Sequence, residues 1–422
     1  MDLSQLTSLF GVAFVLFIAW LFCRHKKSVN WRTVFWGTAL QFIFALLVLK
    51  TPPGRWFFSS VNSLVTALIG FQTDGAKFVF GALGIPPGQP GSLGFFFAFQ
   101  ALTSVVFLAA LMSALYYLGL LQPLVTFCAK IMCHTCQTSG AETLNAAGNM
   151  FGMGQTEAPL LVKPHLEEMT ESELLCVMVA GMSMIAGGVM VVYVDMLKPY
   201  FPDIAGHLLA ANVMAAPAAL VISKMLIPET GKPKTSGATK IEYHDESSNV
   251  VEAVSSGAEV GMHLAINVAA MLIAFIALLA MVNAGLHAIF GLFHHPDIGL
   301  EQLLGWMFAP IAWIVGVPWR DCATAGYLLG EKTALNEFVA YTYMMKYAAA
   351  HAAQQLSYRS YVLIAHMLCG FSNISSIGIQ IGGISVLAPG RRKDLARLGV
   401  YALIGGALAN LLTAAVTGVL IH

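Results

Sequence analysis

Three short polar clusters interrupt a chain that is otherwise built largely of apolar residues. They cover residues 149–160, 336–338 and 371–376, and together they hold amides, hydroxyls and two carboxylates. Such groups can exchange several hydrogen bonds with a polar molecule at once. Within a bilayer they are costly unless they face a cavity or a partner, so they are candidates for a functional site. The clusters predict a site for a small polar solute.

The composition predicts a membrane protein. Of the 422 residues, 57% are hydrophobic and 10% are charged, whereas about 25% of an ordinary soluble domain is charged. The formal net charge is zero, so the charge balance gives no indication of nucleic acid as a partner. The expected partners are membrane lipid and a polar solute.

The cysteines predict neither a disulfide framework nor a metal centre. All seven are scattered, mostly within apolar runs, where a thiol behaves as a small hydrophobic group. Cys133 and Cys136 have a spacing that zinc sites use, but no second pair of ligands follows nearby. Both are interpreted as structural residues, and no cofactor is predicted.

Long apolar segments predict about eight membrane-spanning helices. They are 9–23, 34–49, 95–120, 174–197, 207–226, 264–286, 361–386 and 398–421. The seventh, 361–386, is expected to be broken near 370–376, where polar residues interrupt it. Residues 55–92 mix polar and apolar residues and include a Gly/Pro-rich run, so an interfacial helix and loop are expected there. Residues 250–262 have a polar and an apolar side and are expected to lie along the membrane surface. Basic residues cluster at 24–32 and 391–397, which places those loops in the cytoplasm by the positive-inside rule. Both termini are then expected on the outer side.

Two further segments, 138–168 and 303–343, are apolar but interrupted by polar residues, glycines and prolines. A lipid-facing helix cannot carry that polar load, whereas a re-entrant hairpin can, because irregular backbone is tolerated where protein or water surrounds it. The order hairpin, span, span thus occurs twice, at 138–226 and 303–421, and the single span between them reverses the second block. The predicted fold class is an all-α polytopic membrane protein with two re-entrant helical hairpins in an inverted repeat.

Three motifs, in this order along the chain, resemble those of the concentrative nucleoside transporters. They are Gly154-Gln155-Thr156-Glu157-Ala158-Pro159-Leu160, Asn336-Glu337-Phe338-Val339-Ala340-Tyr341 and Gly370-Phe371-Ser372-Asn373-Ile374-Ser375-Ser376-Ile377. The similarity covers essentially the whole chain and is to the bacterial members of the family. It implies a homotrimer in the inner membrane that imports nucleosides such as uridine down a cation gradient. With the topology derived above from the basic loops, both termini would lie in the periplasm.

The resemblance also implies an elevator mechanism, in which a transport domain carries the solute past a fixed scaffold. Residues 138–226 and 291–422 are expected to form the transport blocks. Residues 1–137 are expected to form scaffold helices and an interfacial helix, and residues 227–290 a cytoplasmic loop, an interfacial helix and a scaffold span. Small residues would let helices slide closely past one another. The candidates are Gly187, Gly188, Gly382 and Gly383.

By the same resemblance, seven residues are expected to contact the solute. They are Gln155, Thr156 and Glu157, which would face the base, Glu337, Asn373 and Ser376, which would bind the ribose, and Phe371, which would lie against the solute. A nucleoside is uncharged, so its recognition depends on hydrogen bonds, and a carboxylate can accept from two hydroxyl groups at once.

The coupling cation would bind where the first hairpin meets the fourth span. The groups that the resemblance implies are the Asn149 side chain, the Ser183 hydroxyl and the carbonyls of Gly152, Met153 and Ile185. The chain departs from the family by carrying Met184 where sodium-coupled members have a hydroxyl, and by one extra residue before Gln155. A thioether is a poor ligand for a hard cation. Sodium, and a proton on Glu157 or Glu337, are therefore both candidates.

Other functions would use some of the same features. A channel for polar solutes, or a carrier for a different small polar metabolite, would also have polar re-entrant hairpins. An enzyme is not expected, since the chain has neither a His-Glu-x-x-His motif nor a Gly-x-Ser-x-Gly elbow. The sequence predicts no preference between purine and pyrimidine.

Structural roles are the alternative for each polar residue. Polar side chains such as Asn373 and Ser376 commonly tie membrane helices together. Arg320 and Asp321 are most simply a local ion pair. The sequence predicts no role for the neighbouring charges of Glu331 and Lys332.

Overall fold

The computed structural model describes residues 2–86, 89–236, 247–295, 297–350 and 356–421, and within these ranges the regular elements are helices, as predicted. The helices before the first hairpin are α1 (Leu3–Leu21), α2 (Trp31–Lys50), α3 (Pro52–Phe80), α4 (Phe97–Tyr117) and α5 (Gln122–Cys136). The first repeat contains α6 (Gly140–Met150), α7 (Lys163–Leu166), α8 (Glu171–Ser183), α9 (Gly187–Leu197) and α10 (Ile204–Leu226).

Two helices, α11 (Val250–Gly291) and α12 (Leu300–Val315), lie between the repeats. The second repeat contains α13 (Cys322–Ala334), α14 (Glu337–Ala350), α15 (Tyr358–Leu368), α16 (Ile374–Leu387) and α17 (Arg392–Leu420). Residues 237–246, which are part of the predicted cytoplasmic loop, lie outside the described residues.

Seven helices in the described part of the chain are long and apolar enough to cross a membrane, with α8 and α9 counted as one. They correspond to seven of the eight predicted spans. The remaining predicted span, 361–386, is divided into α15 and α16 by a break at 369–373. The protein is therefore a multi-pass membrane protein.

The fourth span is broken between α8 and α9, whereas the sequence predicts one continuous helix over 174–197. Asn212 on α10 stabilises this break. The Ile185 N–H donates to Asn212 Oδ1 over 3.1 Å, and Asn212 Nδ2 donates to the Ile185 carbonyl over 2.8 Å. These bonds take the place of helical ones that the break removes. Hydropathy does not reveal the break, because the residues around it are apolar.

The expectation of a separate interfacial helix at 250–262 is wrong, because α11 runs without interruption from Val250 to Gly291. Asn249 caps its first turn by accepting from the Glu252 N–H over 2.9 Å. Gly257 packs so closely on α4 that a Cβ there would lie 2.7 Å from the Ala109 carbonyl oxygen. This contact holds the polar start of the helix against protein.

The second hairpin is shorter than the predicted segment 303–343. A φ of +108° at Gly316 ends α12, a conformation that glycine adopts at little cost. The helix α12 is therefore a separate element that packs along α13. The hairpin itself consists of α13 and α14, and Asn336 at its turn caps α14 by accepting from the Val339 N–H over 2.9 Å.

Helix packing crosses the predicted boundary at residue 137. The helix α1 packs along α17 and α2 packs along α10, so both contact helices of the two repeats. By contrast, α4 packs along α11, and α9 packs against α4. Apolar sequence could not show this grouping, because a spanning helix offers apolar surface to lipid and to protein alike.

Two of the loops predicted to be cytoplasmic meet at one end of the molecule. Arg24, beyond the end of α1, forms an ion pair with Glu171 at the start of α8. Arg397 at the start of α17 lies 3.6 Å from the same carboxylate. Arg391 donates to the Glu167 carbonyl over 3.2 Å. The basic clusters at 24–32 and 391–397 are therefore on the same side.

The two chain ends meet at the other end of α1. Arg359 donates to the carbonyl of Ser4 over 2.9 Å and to that of Ile421 over 2.6 Å. Both termini therefore lie on one side, opposite the basic loops.

Candidate solute-binding site

Both hairpin tips and the start of α16 open into one cavity of about 170 Å³. All seven residues that the sequence predicts to contact the solute line it, namely Gln155, Thr156, Glu157, Glu337, Phe371, Asn373 and Ser376. They come from both repeats. The fold therefore brings together side chains that are far apart in the sequence.

The Glu337 carboxylate is held by two side chains from other helices. Asn373 Nδ2 donates to its Oε2 over 2.9 Å, and the Tyr193 hydroxyl donates to its Oε1 over 3.1 Å. Glu337 is the first residue of α14, where the positive end of the helix dipole favours a carboxylate. Each carboxylate oxygen can accept more than one hydrogen bond. Glu337 can therefore accept further hydrogen bonds from hydroxyl groups of a solute.

Asn373 fixes the start of α16 at the edge of this cavity. It is the N-cap of that helix, because its Oδ1 accepts from the Ser376 N–H over 2.9 Å. The Ser375 hydroxyl donates to the same oxygen over 2.7 Å. The break in the seventh predicted span thus presents an amide and hydroxyls to the cavity.

Gln155 connects the tip of the first hairpin to the second repeat. Its Nε2 donates to the Ser376 hydroxyl oxygen over 3.3 Å. Its Oε1 is buried and has no hydrogen-bond partner among the described residues. An unpartnered buried oxygen costs about 1–3 kcal/mol. This atom is therefore suited to accept from an N–H group of a bound molecule.

Glu157 lines both the solute cavity and a second cavity of about 180 Å³. Its Oε2 accepts from the Gly154 N–H over 3.1 Å, across the tip of the hairpin. The second cavity lies between this hairpin, α4 and the first half of α11, which contributes Gly257 and Val260. Because α11 begins just after the predicted cytoplasmic loop, the second cavity extends from the site toward the predicted cytoplasmic side.

An apolar wall from α11 closes the solute cavity on one side. It is formed by Val260, Leu264, Val268 and Leu272, which recur every four residues and so share one face of the helix. Polar hairpin tips oppose this wall. The cavity therefore suits a solute that combines hydrogen-bonding groups with a flat apolar surface.

Comparison with known proteins decides the family. Models described as Na+ dependent nucleoside transporter N-terminus and C-terminus match residues 10–83 and 207–418, and one described as nucleoside recognition matches residues 98–200. An uncharacterized transporter of Haemophilus influenzae is 40% identical, over 99% of this chain and 98% of its own length. The chain belongs to the Na+-dependent nucleoside transporter family.

Relatives in this family include animal proteins and solved structures. Mouse solute carrier family 28 member 3 is 41% identical over 99% of this chain, which spans 59% of the mouse protein. CNTnw in an inward-facing substrate-bound state has a TM-score of 0.90 at 40% identity, over 99% of this chain and 98% of that chain. The family and the fold predicted from the sequence are confirmed, and the protein is a membrane transporter rather than an enzyme.

Among the expected cation ligands, Asn149 has a side-chain oxygen that accepts no hydrogen bond from the described residues. Its Nδ2 donates to the Asn145 carbonyl over 3.0 Å. Its Oδ1 is buried and has no hydrogen-bond partner among the described residues. A hard cation prefers such an oxygen.

The other expected ligands lie at the same junction, where the first hairpin meets the break at 184–186 between α8 and α9. We call this break the first helix break. The Gly152 carbonyl accepts from the Gly187 N–H over 2.8 Å, and the Ile185 carbonyl accepts from Asn212. The Ser183 hydroxyl donates to the Ala180 carbonyl over 3.3 Å. An oxygen that already takes part in one hydrogen bond keeps a lone pair for a cation. Met153 lines the second cavity.

Asn410 was missed by the sequence analysis, although it joins both helix breaks. Its Nδ2 donates to the Ser183 carbonyl over 2.7 Å and also to the Cys369 carbonyl. Its Oδ1 accepts from the Ser372 hydroxyl over 3.2 Å and from the Lys332 ammonium over 2.7 Å. A lone asparagine within an apolar span was the available signal. Tyr193, also missed, gave no comparable signal.

Two predictions outside the cavity have clear outcomes. Arg320 and Asp321 form the expected local ion pair, with 3.4 Å between Nε and Oδ1. Gly382 does not take part in the expected close packing between helices, because a Cβ built there would have no atom of the described residues within 4 Å. That prediction is wrong. Gly383 differs, because a Cβ there would lie 2.4 Å from Thr156 Cγ2.

Proposed function

We propose that the protein imports nucleosides, uridine among them, together with sodium ions across the inner membrane of a bacterium. The observation that carries this proposal is the convergence of seven polar and aromatic side chains from both repeats on one cavity. Membership of the Na+-dependent nucleoside transporter family supports the solute class and the ion.

The ribose binds at Glu337 and Asn373 in this proposal, and the base binds at the first hairpin tip. Asn373 donates to one Glu337 oxygen and Tyr193 to the other, and each oxygen keeps a lone pair with which to accept from adjacent ribose hydroxyls. Gln155 offers an acceptor and a donor to the polar edge of the base. A solute without ribose hydroxyls would leave the buried carboxylate without these bonds, so it would be rejected.

Sodium is the coupling ion that the site supports better than a proton. The buried Asn149 Oδ1 lacks a partner and matches the oxygen preference of a hard cation. A proton on Glu337 would convert one of its oxygens into a donor and so remove an acceptor that the ribose needs. The loss of the family hydroxyl at Met184 then predicts weak sodium affinity rather than a different ion.

We propose an elevator movement in which α4 and α11 belong to the fixed scaffold and the two repeats move together with α1 and α2. Packing of α1 on α17 and of α2 on α10 supports this grouping. Gly188 on α9 faces α4 at close range, because a Cβ there would lie 3.6 Å from the Val105 carbonyl oxygen. As the repeats slide, the apolar wall of α11 would stay behind and the solute would be exposed to the other side.

The sidedness and the assembly are part of the same proposal. The basic loops would face the cytoplasm and the termini the periplasm. The assembly would be a homotrimer, as the family resemblance implies. The mass of the purified complex would test the trimer directly.

Uridine uptake into proteoliposomes, with sodium and proton gradients imposed separately, tests the function. We expect saturable accumulation that requires an inward sodium gradient. Accumulation driven by a proton gradient alone would reassign the ion. Uptake that stays linear in solute at millimolar concentration would indicate a channel, and failure to take up any nucleoside would contradict the proposal.

A further inference from the structure

Lys332 is a buried cation whose hydrogen-bond acceptors are neutral oxygens. The residue is 1% exposed. Its ammonium donates to the Met367 carbonyl and to the Asn410 amide oxygen, each over 2.7 Å. Lys224, which is also buried, instead lies 2.7 Å from the Glu142 carboxylate. Because burying a charge without a directly paired carboxylate is costly, the position of Lys332 calls for a functional explanation.

The ammonium of Lys332 lies at the second helix break, which is the break at 369–373 between α15 and α16. Met367 is in the last turn of α15, where the free carbonyls form the negative end of the helix dipole. Asn410 also binds the Ser372 hydroxyl, just beyond the break. A main-chain carbonyl and an amide oxygen at the end of a half-helix are the ligands that a metal cation takes in transporters of this kind of architecture.

The first helix break presents the same kinds of oxygen atom, but one of these oxygens accepts no hydrogen bond from the described residues. Ser183 ends α8, and its carbonyl points to Asn410. Asn149 Oδ1 nearby has no donor among the described residues. Under the proposed function an exchangeable cation completes this first set of oxygens. The second set already has a cation, which is attached to the chain.

We propose that Lys332 is a tethered cation. Its ammonium group, which is attached to the chain, occupies at the second helix break the position that an exchangeable sodium ion occupies at the first. Lys332 is a positioning residue, because it acts on the solute through the break that carries Asn373, whose side-chain amide binds the Glu337 carboxylate. The proposal rests on the proposed function and adds that the ribose site needs a positive charge at this position. Because the charge is tethered, the ribose side of the site stays formed when the sodium ion leaves.

Chemical rescue of Lys332→Ala in the purified full-length protein tests this proposal. Propylammonium has as many heavy atoms as the substitution removes, and 1-propanol has the same size without the charge. We expect Lys332→Ala to weaken uridine binding at least about tenfold, a loss of about 1.4 kcal/mol. Propylammonium should recover at least about threefold of this affinity, which is about 0.7 kcal/mol, and 1-propanol should not.

Thermal unfolding without uridine is measured on the same samples. The melting temperature of Lys332→Ala should fall and should rise again with propylammonium only. Lys224→Ala is the matched control, since it removes a buried ammonium away from the cavity and should leave uridine affinity within about threefold of the original. Wild-type affinity in Lys332→Ala, equal recovery with 1-propanol, or recovery with neither probe would overturn the proposal.

Two further comparisons keep the outcome decisive. If Lys332→Ala does not fold, Lys332→Met, which keeps the length without the charge, is compared with Lys332→Arg, which keeps the charge. Tighter uridine binding by the arginine variant supports the tethered cation, and equal binding overturns it. If the unaltered protein binds no nucleoside, the proposed function fails, while recovery of the melting temperature by propylammonium alone still supports the tethered cation and its absence still overturns it.

Discussion

Asn373 donates its side-chain amide to the Glu337 carboxylate over 2.9 Å, and this contact ties the second hairpin to the second helix break. Gln155 makes a similar link from the first hairpin to Ser376 over 3.3 Å. The solute cavity is therefore closed by contacts between separate elements, each of which can be tested by substitution.

Glu337→Gln should reduce uridine uptake at least about a hundredfold, because hydrogen bonds to a charged group are worth about 1.5–3 kcal/mol each and the ribose is expected to make two. The measurement is initial uptake rate at a low uridine concentration. Glu331→Gln is the control, since Glu331 lies on the same hairpin and accepts from the Tyr327 hydroxyl outside the cavity. Unchanged transport by Glu337→Gln would refute the ribose-binding role.

Gly383→Ala should lower uptake about tenfold, because its new Cβ would displace Thr156 from its position in the cavity lining, and overpacking of this kind costs about 1–3 kcal/mol. Its neighbour supplies the control. Gly382→Ala should transport normally, since a Cβ there meets no described atom within 4 Å. Equal uptake by the two variants would show that the position of Thr156 does not matter to the solute.

Asn149→Leu should make uridine uptake independent of sodium, since leucine has similar size but no oxygen for the cation. The test compares uptake rates with sodium and with choline outside the vesicles. Asn283→Leu is the control, because Asn283 accepts from the Leu300 N–H far from the first hairpin. Full sodium stimulation in Asn149→Leu would exclude Asn149 as a ligand.

Asn410→Ala should lower the melting temperature by at least about 5 °C, because each buried partner left unsatisfied costs about 1–3 kcal/mol. The side chain bonds to both helix breaks, so uridine binding should weaken as well. Asn283→Ala, which loses a single bond to backbone, should shift the melting temperature much less. A melting temperature for Asn410→Ala equal to that of Asn283→Ala would show that the bridge between the breaks adds no stability.

The sequence was sufficient to find the residues of the cavity because their signal is local. Gln155 and Glu337 are polar groups within apolar segments, and a bilayer makes such groups costly unless they have a use. The family motifs at these positions then gave each residue its expected role. The break at 369–373 was predicted for the same reason, since Ser372 and Asn373 interrupt an apolar span.

Features that depend on distant partners could not be predicted. The break at 184–186 is stabilised by Asn212, which lies on another helix and gives no sign of its partner in the sequence. The position of Lys332 depends on Asn410 in the last helix. Grouping of α1 and α2 with the repeats depends on which apolar faces meet, and apolar composition alone does not specify this.

A cryo-electron microscopy structure of the protein with uridine and sodium tests the central claim most directly. We predict that a ribose hydroxyl lies about 2.7–3.2 Å from a Glu337 carboxylate oxygen while Gln155 contacts the base of the same molecule. Uridine bound elsewhere, or contacting one of these residues without the other, would contradict the account.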